Sequence, residues 1–202
     1  MSPQALRETS QPAKGESDEL ALLRAEVERL TRDLEAMRAR AEAAEAAADH
    51  DVLTPTLNRR GFVEVLNRAM AYCARHDVPA SLIYLDLDGF KRINDDLGHA
   101  AGDAALIHVA ETLKANLRES DALGRLGGDE FALLLMNAAL DDGREKARAL
   151  GEALASRGFE WNGRQVVVNG AFGVRPLAGQ ADAEVWLAEA DAAMWVRKKP
   201  SR

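Results

Sequence analysis

Two acids, Asp129 and Glu130, follow directly on two adjacent glycines, Gly127 and Gly128, and lead into an apolar run, Phe131-Ala-Leu-Leu-Leu-Met136. A glycine pair between two strand-like runs predicts a tight β-hairpin turn. Glycine adopts positive φ and, lacking a side chain, lets another molecule lie against the backbone. Carboxylates at the mouth of such a turn can hold a hard cation such as Mg²⁺, which takes oxygen ligands and bridges to a substrate phosphate. A second acidic group, Asp86-Leu-Asp88, closes another apolar run at residues 80–87. Asp86 and Asp129 can converge if their strands are neighbours, and two carboxylates at strand ends are a minimal mount for metal-assisted chemistry on a triphosphate. The competing role for each acid is a helix or turn cap.

The elements that would position these acids are legible from periodicity. Residues 59 to about 76 predict a helix with Phe62, Val65, Leu66, Ala69 and Met70 on one face. Residues 80–87 predict a strand at the centre of a sheet, because the run is almost unbroken in apolar residues. A short helix and turn follow over 89–99. A longer helix is expected from 100 to about 118, with Leu106, Val109, Ala110, Leu113 and Leu117 inward. Strands at 122–126 and 130–135 flank the glycines, and 142–156 predicts another helix. Asn162-Gly163 predicts a type I′ hairpin between residues 159–161 and 164–168, the strand continuing toward 174. Residues 182–198 predict the last helix. Strands alternating with helices and adjacent hairpins imply an α/β or α+β sheet with helices on one side.

Residues 1–16 are rich in Ser, Pro, Gln and charge and are expected to be disordered. From there to residue 50 the pattern is a heptad. Leu20, Leu23, Val27, Leu30, Leu34, Met37, Ala41, Ala44 and Ala48 alternate at spacings of three and four, with Leu20 at a and Leu23 at d. In a parallel dimer the g–e′ pairs Glu19–Arg24, Asp33–Arg38 and Arg40–Glu45 are of opposite sign, and Glu26–Thr31 is neutral. A homodimeric coiled-coil stem is therefore expected over 17–50, weakest after Met37, where the seam turns to alanine.

The chain has 202 residues, 47% hydrophobic and 29% charged, which suits one folded domain with an appendage. A net charge of −7 argues against a broad nucleic-acid footprint, and any polyphosphate ligand would need metal and local cations. The single cysteine, Cys73, excludes an internal disulfide and suits a reducing compartment. No apolar run reaches the ~20 residues of a membrane span, and residues 1–8 lack an apolar signal core, so a cytoplasmic protein is expected.

The words Gly-Gly-Asp-Glu-Phe at 127–131 resemble the signature of the GGDEF family, the diguanylate cyclases. Further stretches are similar to that family. Asp51-Val-Leu-Thr-Pro-Thr-Leu-Asn-Arg-Arg60 resembles its opening segment, with Pro55, Thr56 and Leu57 standing where the family has Gly, Leu and Pro. Asp86-Leu-Asp-Gly-Phe-Lys-Arg-Ile-Asn-Asp-Asp-Leu-Gly-His99, continued to Gly102-Asp103, resembles its central segment. Ala190 to Arg202 resembles its closing one, with Arg197 and Ser201 replacing Ala and Gly.

The resemblance covers about residues 51–202. It implies an α+β fold of the ferredoxin-like, polymerase-palm type, with a five-stranded, antiparallel-centred sheet preceded here by the coiled coil. It implies an enzyme that condenses two GTP into cyclic di-GMP and two pyrophosphates, one GTP per domain of a homodimer. Mg²⁺ or Mn²⁺, two ions per site, would be held by Asp86, the Leu87 carbonyl and Asp129. Glu130 would be a second acid near the metals or the 3′-hydroxyl, beside Gly127 and Gly128, and Asp88 a structural neighbour. Asn94 and Asp103 would read guanine, whose N1–H and N2–H₂ donors suit an amide and a carboxylate; without the family, Asp103 is an acid in the first turn of a helix. Lys198 and Arg202 would bind phosphate, Lys91 would face it, and His99 would be a turn residue. Arg118 and Asp121 match the family's Arg-x-x-Asp site for inhibition by product. The alternative function is a non-catalytic receptor for GTP or cyclic di-GMP.

Overall fold

The structure, a computed structural model, describes the backbone of residues 14–198 and the side chains of 19–38, 40 and 48–195. The chain divides into two units, residues 1–47 and 48–202. In the first, one helix, α1 (Lys14–Ala48), spans 35 residues. Its a/d residues Leu20, Leu23, Val27, Leu30, Leu34 and Met37 are all exposed. Arg29 bridges Glu26 (2.6 Å) and Asp33 (3.0 Å) along the helix surface. Of the stretch 1–16 expected to be disordered, residues 14–16 belong to α1, while residues 1–13, like the Arg40–Glu45 pair, lie outside what is described.

The second unit is an α+β fold on a mixed five-stranded sheet of order β1-β3-β4-β2-β7. These strands are β1 (Leu57–Asn58), β2 (Ala80–Leu87), β3 (Ala122–Gly127), β4 (Glu130–Met136) and β7 (Gly170–Pro176). β2 pairs antiparallel with both β4 and β7, β3 pairs antiparallel with β4, and only β1–β3 is parallel. The near-continuous apolar sequence of β2 follows from its place between β4 and β7, where both faces are covered.

Helices lie on both faces of the sheet, not on one as the sequence pattern suggested. Ile83, Leu85 and Leu87 of β2 and Phe131, Leu133 and Leu135 of β4 pack against α4 (His99–Lys114) and α5 (Leu140–Ser156). Leu82 and Tyr84, with Ala132 and Leu134, pack against α2 (Arg59–His76) and α6 (Ala183–Lys198). The period of two along each strand divides the side chains between these two cores. Cys73 completes the buried face of α2.

Two boundaries differ from expectation. α4 ends at Lys114, so Arg118 lies in the connection to β3. The Asn162-Gly163 turn has φ of 49° and 76°, as a type I′ turn requires, and joins β5 (Phe159–Trp161) to β6 (Arg164–Val166). That hairpin forms a sheet of its own and does not run on toward 174; β7 starts afresh at Gly170 beside β2. α3 (Phe90–Leu97) and α4 meet at Gly98, whose φ of 86° needs glycine.

Candidate active site

The antiparallel register of β2 and β4 sets Asp86 directly opposite Glu130. Both lie, by alternation, on the face shared with Tyr84 and Ala132, toward α2 and α6. The two-residue connection of the hairpin is Gly128-Asp129, because Gly127 is still paired with Glu130 in the ladder. Gly128 takes φ 43°, with open space where a Cβ would be. The Asp129 carbonyl accepts the Leu87 N–H (3.3 Å), which ties the turn to the end of β2. Arg125 holds the turn from below, its guanidinium donating to the Gly128 carbonyl at 2.7 and 3.0 Å.

The strand condition for convergence of the acids is met, but the residue facing Asp86 is Glu130, while Asp129 sits half-buried in the turn. Burial, followed by the charges of Asp86, Asp191 and Asp129, holds the Glu130 carboxyl above its ordinary value, against a hydrogen bond from Tyr84 that lowers it. Burial likewise pushes the Tyr84 hydroxyl up, and the Glu130 and Asp191 charges add to this. Among the described residues there is no cluster of three or more His, Cys, Asp or Glu side chains suited to a metal. Two facing carboxylates in an acidic setting, with a backbone carbonyl beside them, suit a Mg²⁺-type ion that draws its other ligands from water and substrate phosphate.

The segment 51–60 keeps its geometry through its ends. The Asp51 carboxylate accepts from Thr54 Oγ1 (2.7 Å), Thr54 N (2.8 Å) and Arg125 Nη1 (3.1 Å). Burial alone would raise the Asp51 carboxyl; the Thr54 and Arg125 bonds outweigh it and hold the group low. Asn58 caps α2 by accepting the Gly61 N–H at 3.0 Å. In the altered middle, the buried Thr56 hydroxyl is satisfied by Thr54 Oγ1 at 2.9 Å, Pro55 is exposed, and Leu57 enters β1.

Asn94 is half-buried on α3 and lies against Gly102 of α4, where a Cβ would overlap its Oδ1. The next residue along α4, Asp103, is exposed, one position past the contact of Asn94 with Gly102. Lys91 is exposed in the first turn of α3. The backbone of Lys198 ends α6; its side chain and the whole of Arg202 lie outside the described residues.

Arg118 and Asp121 close one turn. The Arg118 N–H donates to Asp121 Oδ2 (3.0 Å) and the Asp121 N–H to the Arg118 carbonyl (3.1 Å). Asp121 Oδ1 also accepts the Met136 N–H at 3.2 Å. The aspartate therefore pins the entry of β3 to the end of β4, leaving one lone pair on each oxygen. The exposed Arg118 borders a cleft of about 640 Å³ that Asp121, Lys114 and His50 also line.

Sequence reasoning passed over Tyr84, Asp191 and Arg125. Tyr84 had a legible signal: it is a polar-tipped residue in an apolar strand, two before Asp86 and so on its face. Asp191 lies in the closing segment that resembles the family's, but its nearness to Glu130 depends on how α6 crosses the sheet.

The family model described as "Diguanylate cyclase, GGDEF domain" matches residues 48–202. The diguanylate cyclase TpbB of Pseudomonas aeruginosa is 36% identical over 192 residues, covering 91% of this chain and 44% of its own length. The diguanylate cyclase DgcP of the same species is 33% identical over 196 residues, with 97% and 29% covered. The chain thus spans less than half the length of these relatives. Among solved structures, the coiled coil and GGDEF domain of Caulobacter crescentus DgcB in complex with c-di-GMP superposes with a TM-score of 0.77 at 25% identity, over 87% of this chain and 94% of that one. The Pseudomonas aeruginosa diguanylate cyclase SiaD, in complex with its activator SiaC, gives 0.73 at 29% identity, over 92% and 71%. With its glycine–acid hairpin set against the Asp86 strand and a family match over residues 48–202, the chain belongs to the GGDEF diguanylate cyclase family.

Proposed function

We propose that the protein is a diguanylate cyclase, joining two GTP molecules into cyclic di-GMP with release of two pyrophosphates. The observation that carries this is the Asp86–Glu130 pair, in register beside an intact Gly127-Gly128-Asp129 turn. A domain serving only as a receptor has no need of that pair.

Asn94 and Asp103 hold the guanine edge by accepting its N–H donors. A carboxylate there would go unpaired against adenine, which is the basis of base choice. Lys91, Lys198 and Arg202 offset phosphate charge. Asp86, Glu130, the Leu87 carbonyl and Asp129 hold Mg²⁺ or Mn²⁺, two ions per site, with Glu130 rather than Asp129 as the partner of Asp86. When bound, such ions neutralise charge developing on the α-phosphate and the leaving pyrophosphate. The open turn at Gly128 leaves room for the second nucleotide, whose 3′-hydroxyl must reach the α-phosphate of the first. The test is GTP supplied to pure protein with and without Mg²⁺. Metal-dependent release of pyrophosphate together with cyclic di-GMP is expected; binding of GTP with neither product would make the protein a receptor.

Because one domain holds one GTP, two must meet. The exposed Leu20–Met37 stripe on α1 supports a parallel coiled-coil homodimer that keeps the local concentration of domains high. Replacing Leu23 and Leu30 with Asp should make specific activity fall steeply on dilution while the wild type stays flat. Equal dilution curves would remove the stem from dimer formation.

Product feedback is proposed at Arg118 and Asp121. Arginine offers a planar fork to phosphate or a guanine edge, and the cleft beside it also holds Lys114. Progress curves at saturating GTP should bend as cyclic di-GMP accumulates in the wild type and stay straight in Arg118→Ala, from similar initial rates. The same curvature in both would leave Arg118 with no part in feedback.

A further inference from the structure

Tyr84 is 6% exposed, and the register that pairs it with Ala132 and Asp86 with Glu130 makes Tyr84 and Glu130 diagonal neighbours on one face, which puts the hydroxyl within reach of the Glu130 carboxylate. The ring is accommodated by the residues beside it. In register, Tyr84 stands between Ala132 of β4 and Gly173 of β7. Neither has a side chain larger than a methyl, so the two neighbouring strands leave a slot across the sheet face. α6 closes that slot, since a Cβ on Gly173 would meet Ala190 and Met194. The hydroxyl is the donor, because an ionised carboxylate only accepts.

We infer that Tyr84 is a positioning residue for the metal-binding pair: by holding Glu130 it fixes the carboxylate's rotation and keeps one oxygen turned toward Asp86 and the cation. This rests on the reading of Asp86 and Glu130 given above. A glutamate has three side-chain torsions, and a carboxylate among other acids would otherwise turn away from Asp86. A hydrogen bond to a ligating carboxylate counters that tendency, and loss of such outer partners typically costs 10–100-fold in metal affinity. Phenylalanine at 84 would keep the ring, the slot and the packing against α6, and would remove only the donor.

The test is Mn²⁺ titration followed by electron paramagnetic resonance, with the full chain saturated by a GTP analogue whose α–β bridging oxygen is a methylene, so that no turnover occurs. In Tyr84→Phe the Mn²⁺ dissociation constant should rise about tenfold. Analogue affinity at saturating Mn²⁺ and the melting temperature should stay as in the wild type. An unchanged Mn²⁺ constant in the variant overturns the inference. A parallel loss of Mn²⁺ binding, analogue binding and melting temperature also overturns it, since that is the signature of a packing role alone. If the wild type takes up no Mn²⁺ with the analogue, the metal reading of Asp86 and Glu130 fails first and the role of Tyr84 falls with it, a result distinct from normal wild-type binding with an unaffected variant.

Discussion

Glu130→Gln is expected to lower the rate of cyclic di-GMP formation by at least about 10²–10³, the scale seen when one charge-stabilising group is removed from an active site. The replacement has the same shape and still offers Tyr84 an acceptor oxygen. What it removes is the negative charge set opposite Asp86. A neutral amide is a poor ligand for a hard divalent ion, so the loss should be greatest at low Mg²⁺ and be partly recovered at high Mg²⁺. Folding should be unimpaired. Glu130 is half-buried beside Asp86, Asp129 and Asp191, and burial and those charges already disfavour its ionised form. Removing the charge relieves repulsion, so the melting temperature without metal should be no lower than that of the wild type. Asp129→Ala should also abolish turnover while leaving the turn in place, because the contact to Leu87 is made by the Asp129 backbone carbonyl. An active Glu130→Gln beside an inactive Asp129→Ala would return the role of principal partner of Asp86 to Asp129.

Gly173→Ala should be the most damaging single methyl in the domain. A Cβ there would overlap the Ala190 carbonyl and come within 2.5 Å of the Met194 nitrogen, both backbone atoms of α6. Backbone cannot swing aside as a side chain can, so α6 must lift from β7. That helix buries Trp186, Leu187, Ala190 and Met194 against the sheet. Overpacking of this kind costs about 1–3 kcal/mol, occasionally more. For a domain of this size each kcal/mol lowers the melting temperature by roughly 2–4 °C. Activity should fall as well, since α6 carries Asp191 and Lys198 and closes the slot that holds Tyr84. By contrast, Gly151→Ala adds a Cβ at 3.4 Å from the Phe172 ring, a tolerable contact, and should melt within ~2 °C of the wild type. Equal melting temperatures for Gly173→Ala and the wild type would mean that α6 does not pack on β7 as described.

What the sequence determined by itself was local and periodic. The strand at Ala80–Leu87, the helix at Arg59–His76 and the Asn162-Gly163 turn could be read directly, because each depends on residues within a few positions of one another. The acids could be named for the same reason: a Gly-Gly-Asp-Glu string needs no partner to be recognised. Which acids face one another could not be read. Whether Glu130 or Asp129 stands opposite Asp86 is a matter of register between strands more than forty residues apart, and a shift of one residue exchanges the two faces of a strand. The same holds for the helices. The apolar stripe of α6 says that one face is buried, but only the crossing over Gly173 brings Asp191 near Glu130 and closes the slot around Tyr84. The sheet order decided the remainder. With β2 between β4 and β7, both of its faces had to be covered, which put helices on two sides where the alternation of elements had suggested one. Long-range pairing of this kind is settled by the burial of whole faces at once, and no short stretch of chain contains that information.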